Sequence, residues 1–350
     1  MPAVPPINGQ VLALIIGGLS GFFFNWIGMP LPWMLGPMFG NTAAALLGWP
    51  VIAPNKLRPI VIPILGVMLG SAITIELFGQ LGGWVLTLVL LPIFLALASG
   101  VSYLTYRKIG RYDPVTAFYS AMPGGLNEML ILGEEAGGEG RKIALAHAAR
   151  VLFVIFFVAL FFGLVLGVQS GANSASWIAI TAPSLPDYFW LILAAITGVV
   201  FGHYARLPAA PVFGPMIVSG AFHVMGLVSI APPSVFIIAS QIVVGTIIGT
   251  RFVGSSLSEL RSDMILASLA SGLMLAVGVG FGAIVAAYNG MTLSQAFLAY
   301  APGGLTEMSL LTIAMEQDVA YVSTMHIIRI TLVIAIAPYV FSAIRARLDP

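Results

Sequence analysis

Six side chains carry most of the chemistry this sequence offers, and they form two matching sets. Glu128, His147 and Arg150 recur as Glu307, His326 and Arg329, each at an offset of 179 residues. A glutamate at bilayer depth can take up a proton or cation, because desolvation penalises its charged form. A histidine three residues before an arginine shares its helix face and can relay a proton or bond a carboxylate. The arginine fork offers two parallel donors suited to a carboxylate or phosphate. An unpaired arginine inside a membrane helix costs about 2.5–3.5 kcal/mol. Arg150 and Arg329 therefore need compensation, from the glutamate of the same repeat, the glutamate of the other repeat, or an anionic substrate.

Just ahead of each glutamate stands a helix breaker, Pro123-Gly124-Gly125 and Pro302-Gly303-Gly304. Proline removes a backbone donor and two glycines weaken the helix further. Backbone freed at bilayer depth must meet protein or water, and broken segments in corresponding halves mark transporter binding sites. A helix restarting after Gly125 or Gly304 presents first-turn amides that attract anions. With Asn127 and Thr306 adding oxygen or amide contacts, the candidate binding set is Gly124, Gly125, Asn127, Glu128, His147 and Arg150, with Gly303, Gly304, Thr306, Glu307, His326 and Arg329. Structural alternatives stay open: a tight packing turn, glutamates that only cap a helix, histidines that only pack, a Glu–Arg pair pinning the segment, or arginines snorkelling to the interface.

These residues sit in a chain that water cannot hold. Hydrophobic residues make up 59% of its 350 and charged residues 8%, against roughly 25% in soluble domains. No charged side chain precedes Lys56. A net charge of +1 with no basic patch argues against nucleic acid, and the absence of cysteine removes disulfides, thiolate metal sites and iron–sulfur clusters. The start of the chain lacks the basic n-region of a cleavable signal, so the first apolar run is expected to remain as an anchor.

Apolar runs long enough to cross a bilayer fall near 10–29, 31–49, 57–75, 82–105, 114–133 and 143–168. After a small-residue stretch they resume near 187–204, 209–228, 233–250, 263–288, 293–313 and 320–344. The two halves are copies. Gly36-Pro37-Met38 matches Gly214-Pro215-Met216 at an offset of 178, Gly66 and Gly70 match Gly245 and Gly249 at 179, and Pro123 to Met129 matches Pro302 to Met308 in six of seven positions. Residues 1–168 and 187–350 thus form two membrane repeats joined by an external linker, 169–186. If each Pro-Gly-Gly segment is re-entrant or half-crossing, five spans remain per half and the repeats are inverted. Twelve of the fourteen basic residues then share the cytoplasmic face, leaving only Arg150 and Arg329 inside. Both termini are expected to be cytoplasmic. Gly66/Gly70 and Gly245/Gly249 read as close-packing pairs, while Trp33, Asn41 and Ser219 beside the Gly-Pro elements can line a cavity.

The doubled Met122-Pro123-Gly124-Gly125 and Ala301-Pro302-Gly303-Gly304 element, the doubled Gly-Pro-Met element and the Arg150/Arg329 pair resemble the bacterial AbrB family of inner-membrane proteins. The resemblance runs from Val11 to Arg345. Members carry the labels ammonia monooxygenase and AbrB-type regulator, and the family is similar in outline to transporters of the cation/proton antiporter and bile-acid symporter type, built from inverted five-helix repeats. No enzyme signature accompanies it: four scattered histidines supply no metal cluster, and no nucleotide-binding glycine motif or nucleophile elbow is present. The expectation is an all-α, polytopic inner-membrane protein without cofactor or metal. It would be a secondary transporter of a small anionic metabolite, with proton coupling and homodimer formation left open; the alternative is a membrane-embedded regulatory or sensory protein.

Overall fold

Proline and glycine, rather than charge, set most helix boundaries in a chain this poor in charged residues. The computed structural model describes residues 6–29, 31–75, 79, 81–164, 177–207, 209–254 and 257–348. Among these, fourteen α-helices form, seven in each half. The first half contains α1 (Pro6–Trp26), α2 (Pro32–Leu46), α3 (Arg58–Ser71), α4 (Val85–Leu104), α5 (Pro114–Ala121), α6 (Leu126–Glu135) and α7 (Gly140–Leu164). The second contains α8 (Leu185–Tyr204), α9 (Ala210–Val224), α10 (Ser234–Gly249), α11 (Leu257–Asn289), α12 (Leu293–Tyr300), α13 (Leu305–Ala314) and α14 (Val319–Leu348). The bounds of α2, α5 and α6 fall on those of α9, α12 and α13 at the offsets that relate the sequences. Much of the expected linker, residues 169–176, lies outside the described residues, as do Pro30 and Pro208.

Among the described residues, six stretches are long and apolar enough to cross a bilayer: Gly9–Trp26, Gly82–Ile109, Leu185–Tyr204, Ser234–Phe252, Arg261–Asn289 and Val319–Ala343. This is a multi-pass helical membrane protein. Helices α2, α3 and α9 are shorter, at 15, 14 and 15 residues, and each carries an internal proline: Pro37, Pro63 and Pro215. Helix α7 is long enough but includes Arg141, Lys142 and Arg150.

The chain folds as two compact units, each drawing on both halves. Residues 1–80, 156–255 and 309–320 form the first, built on α1–α3 and α8–α10. Glycine lets its helices touch main chain to main chain. A Cβ on Gly66 or Gly70 of α3 would strike the carbonyls of Val212 and Met216 in α9; on Gly245 or Gly249 of α10 it would strike those of Met34 and Met38 in α2. The repeats therefore exchange the same contact, each offering its glycine pair to the Gly-Pro-Met helix of the other. Polar side chains follow suit. Asn41 donates to Ala13 O and Pro37 O, both at 3.0 Å, and reaches Thr246 Oγ1 at 3.4 Å, while its repeat mate Ser219 donates to Val67 O at 2.9 Å. Asn41 and Ser219 thus tie helices together, and Trp33 covers Gly21.

Residues 81–155, 256–308 and 321–350 form the second unit. Its core joins Leu91, Phe94 and Ala98 of α4 to Tyr300 of α12 and to Val333 and Ala337 of α14. Tyr300 stacks edge-on to Phe94 with ring centroids 5.1 Å apart and donates to Thr87 O at 3.0 Å. This unit holds both Pro-Gly-Gly elements.

Candidate functional site

Helix α5 begins at Asp113, whose carboxylate accepts from the Thr116 amide at 2.9 Å, a cap worth about 1 kcal/mol. It runs only to Ala121. Met122 precedes proline and is pushed out of the helical region, to φ −66° and ψ 127°. Gly125, also extended, caps the start of α6. Helix α6 then returns along α5. The Glu139 amide donates to Thr116 Oγ1 at 2.8 Å, and a Cβ on Gly133 would lie 3.2 Å from Tyr119 Cβ. Residues 113–139 are therefore a helical hairpin with both ends at one level and the Pro-Gly-Gly break at its tip. In the second half α12, capped by Thr292, stops at Tyr300, and α13 starts again at Leu305.

Breaking a helix orphans the last carbonyls before the break, and this is where the arginines go. Arg150 donates from Nη1 to Met122 O at 2.8 Å and from Nη2 to Gly124 O at 3.4 Å. Arg329 donates from Nη1 to Ala301 O at 2.5 Å and from Nη2 to Gly303 O at 2.6 Å. The histidines hold the preceding turn: His147 Nε2 bonds Tyr119 O at 2.9 Å, and His326 Nε2 bonds Leu298 O at 2.8 Å. His147 Nδ1 also meets Arg150 Nη2 at 2.8 Å. All four side chains are almost wholly buried. A hydrogen bond to a charged group contributes about 1.5–3 kcal/mol, so two per guanidinium offset the insertion cost of about 2.5–3.5 kcal/mol. The Nε atoms of both arginines are buried without a hydrogen-bond partner.

Glutamate and glycine at the break are matched by shape. Gly124, Gly125, Gly303 and Gly304 do not adopt positive φ, so their backbones do not call for glycine. Space does. A Cβ on Gly125 would collide with the Glu128 carboxylate, and one on Gly304 with that of Glu307. A Cβ on Gly124 would sit 3.1 Å from Met129, and one on Gly303 2.7 Å from Met308. Each glutamate, at the third position of its helix, folds back over the glycine that begins it, the geometry of a carboxylate serving first-turn amides. The two differ in access: Glu128 is exposed, whereas Glu307 is only 8% exposed. Thr306 is half-buried in the first turn of α13; the Asn127 side chain lies outside the described ones.

The twelve sequence candidates thus do gather around two breaks. The acceptors for Arg150 and Arg329 were not among the partners weighed from sequence. They are backbone carbonyls of the residues at each break, Met122 and Ala301, which the repeat relates to each other. At the mouth of the hairpin, partial burial acts to raise the Asp113 carboxyl, but hydrogen bonds from Thr116 outweigh it and hold the group below its usual range. The neighbouring Tyr112 hydroxyl is pushed up by burial and by Asp263, to which it donates at 2.9 Å.

Comparison with known proteins places this architecture. The model of a family described as "Transition state regulatory protein AbrB" matches residues 33–345. The chain belongs to the AbrB family. It is 27% identical over 349 residues to "Uncharacterized protein YhjN" of Bacillus subtilis (strain 168), covering 93% of this chain and 90% of the relative. It is 23% identical over 336 residues to "Putative regulator AbrB" of Escherichia coli (strain K12), covering 95% of each.

Proposed function

We propose that this protein is a secondary transporter of a small anionic metabolite, coupled to protons and without chemical conversion of its solute. The observation that carries this reading is the pair of helix breaks, each clamped by a buried His–Arg pair and each followed by a glutamate folded over the first turn of the next helix. That glutamate occupies the place an anion would take at the helix N-terminus. Protonation neutralises the carboxylate and frees the amides for the substrate anion, while the guanidinium keeps the local field positive. Proton and anion then load together. Deprotonation on the far side returns the carboxylate to its own helix and expels the anion.

The reading includes ten spans and two re-entrant segments in inverted repeats, in the bacterial inner membrane, with both termini cytoplasmic and residues 169–186 outside. The hairpin of α5 and α6 supports it, as do the exchanged glycine contacts of the first unit and the twelve basic residues that inversion brings to one face. The printed name of the Escherichia coli relative favours a second reading, a membrane-embedded regulator that binds the same anion without moving it. Single cysteines decide between them, because the chain has none of its own. Asn127→Cys and Thr306→Cys, probed with impermeant maleimide from each side, should each label from both sides as the site alternates. Labelling of each from one fixed side contradicts transport and supports the regulator.

A further inference from the structure

We propose that the groove between α4 and α14 binds one anionic glycerophospholipid, with an acyl chain in the groove and the phosphate at its basic end. A cavity of about 310 Å³ lies there, lined almost wholly by apolar groups, among them Leu95 and Tyr103 of α4 and Ile336 and Val340 of α14. That volume falls in the range of small-ligand sites, roughly 300–1,000 Å³. Its walls belong to helices long and apolar enough to span the bilayer, Gly82–Ile109 and Val319–Ala343, so a hydrocarbon chain is the chemistry it fits.

Charge selects the lipid. The two helices run parallel: Thr87 and Tyr321, near their starts, are joined by a 2.7 Å hydrogen bond, while Tyr103 and Val340, near their ends, share the cavity. Their basic residues therefore emerge at one end. Arg107 and Lys108, both exposed, stand about a turn beyond Tyr103, and Arg345 and Arg347 follow Val340 in the last turns of α14. Basic residues carried on the turns beyond the groove by two parallel helices suit an anionic headgroup, and each adds about fivefold in affinity near a membrane surface. The repeats differ in side-chain size along this stretch. The mates of Ile336 and Val340 are Phe157 and Phe161, larger rings in place of aliphatic chains.

Native mass spectrometry of the detergent-purified protein tests this, with phosphatidylglycerol and phosphatidylcholine of identical acyl chains supplied in equal amounts. The expected result is one retained phosphatidylglycerol per chain. Lys108→Gln with Arg345→Gln should lower its preference over phosphatidylcholine by about fivefold per charge removed. Ile336→Phe with Val340→Phe, copying the repeat mates, should displace the lipid while the unfolding temperature holds. Equal retention of both lipids overturns the proposal, as does unchanged phosphatidylglycerol retention in a folded variant whose groove is filled. If the phenylalanine pair does not fold, the surface charge pair decides by itself.

Discussion

Arg150 donates to the carbonyl of Met122, and 179 residues later Arg329 makes the same bond to the carbonyl of Ala301. Each arginine thereby closes the end of the short helix that its own repeat has broken. The charge that is costly in the membrane and the carbonyls orphaned by the break satisfy each other.

Removing the guanidinium should accordingly unfold the break rather than merely empty a site. Arg150→Ala leaves two part-buried carbonyls unsatisfied, at up to about 1–3 kcal/mol each. Arg150→Lys keeps the charge but lacks the planar fork, and should recover only part of the loss. Thermal unfolding in detergent, followed by tryptophan fluorescence, measures both. Wild-type stability in Arg150→Ala would show that the carbonyl bonds do not hold the break.

Gly125 and Glu128 should be energetically coupled. Gly125→Ala places a methyl where the carboxylate lies, so the exposed Glu128 side chain must leave the first turn, at a cost of about 0.3–1 kcal/mol. In a Glu128→Ala background the same change should cost much less. A double-mutant cycle with near-additive effects would mean that the carboxylate does not sit over the glycine.

Glycines of the first unit should divide by what surrounds them. Gly66→Ala and Gly245→Ala push a methyl onto the carbonyls of Val212 and Met34, and should destabilise by similar amounts of about 1–3 kcal/mol. Gly18, inside α1, has nothing within 4 Å of its would-be Cβ, so Gly18→Ala should be neutral or gain about 0.5–1 kcal/mol in helix preference. Unequal losses at Gly66 and Gly245 would contradict the exchanged contact.

Acid should loosen the base of the hairpin. The Asp113 carboxyl is lowered in the fold, so its contribution is present above its ordinary titration near pH 4 and is lost as pH falls through the folded value. Hydrogen exchange over residues 114–121, corrected for intrinsic rate, should speed up below about pH 4. Asp113→Asn, which can still cap, should flatten that dependence while leaving exchange at neutral pH little changed.

Much of this was legible in the residues, for identifiable reasons. Duplication preserved spacing, so Pro123 and Pro302 gave the breaks, and Arg150 and Arg329 declared themselves by being charged where charge is rare. The glycine pairs 66/70 and 245/249 showed the right spacing for close packing. Sequence could not say that α3 meets α9 and α10 meets α2, because partner choice is set by the whole unit. Nor could it find the arginines' acceptors. Backbone carbonyls leave no mark in residue identity, and only the geometry of a broken helix exposes them. The repeats gave the halves of the chain, whereas the compact units each take helices from both, since a membrane repeat buries its faces against its copy.

Transport by this route requires that protonation of the glutamates at the two breaks load an anion. Proteoliposomes carrying the purified protein, given an inward proton gradient and a panel of labelled carboxylates and phosphate esters, test it most directly. Gradient-driven accumulation of at least one anion is expected, abolished by dissipating the gradient and lost in Glu128→Gln/Glu307→Gln vesicles that still hold folded protein. Accumulation that survives the double substitution, or none for any member of the panel, would contradict it.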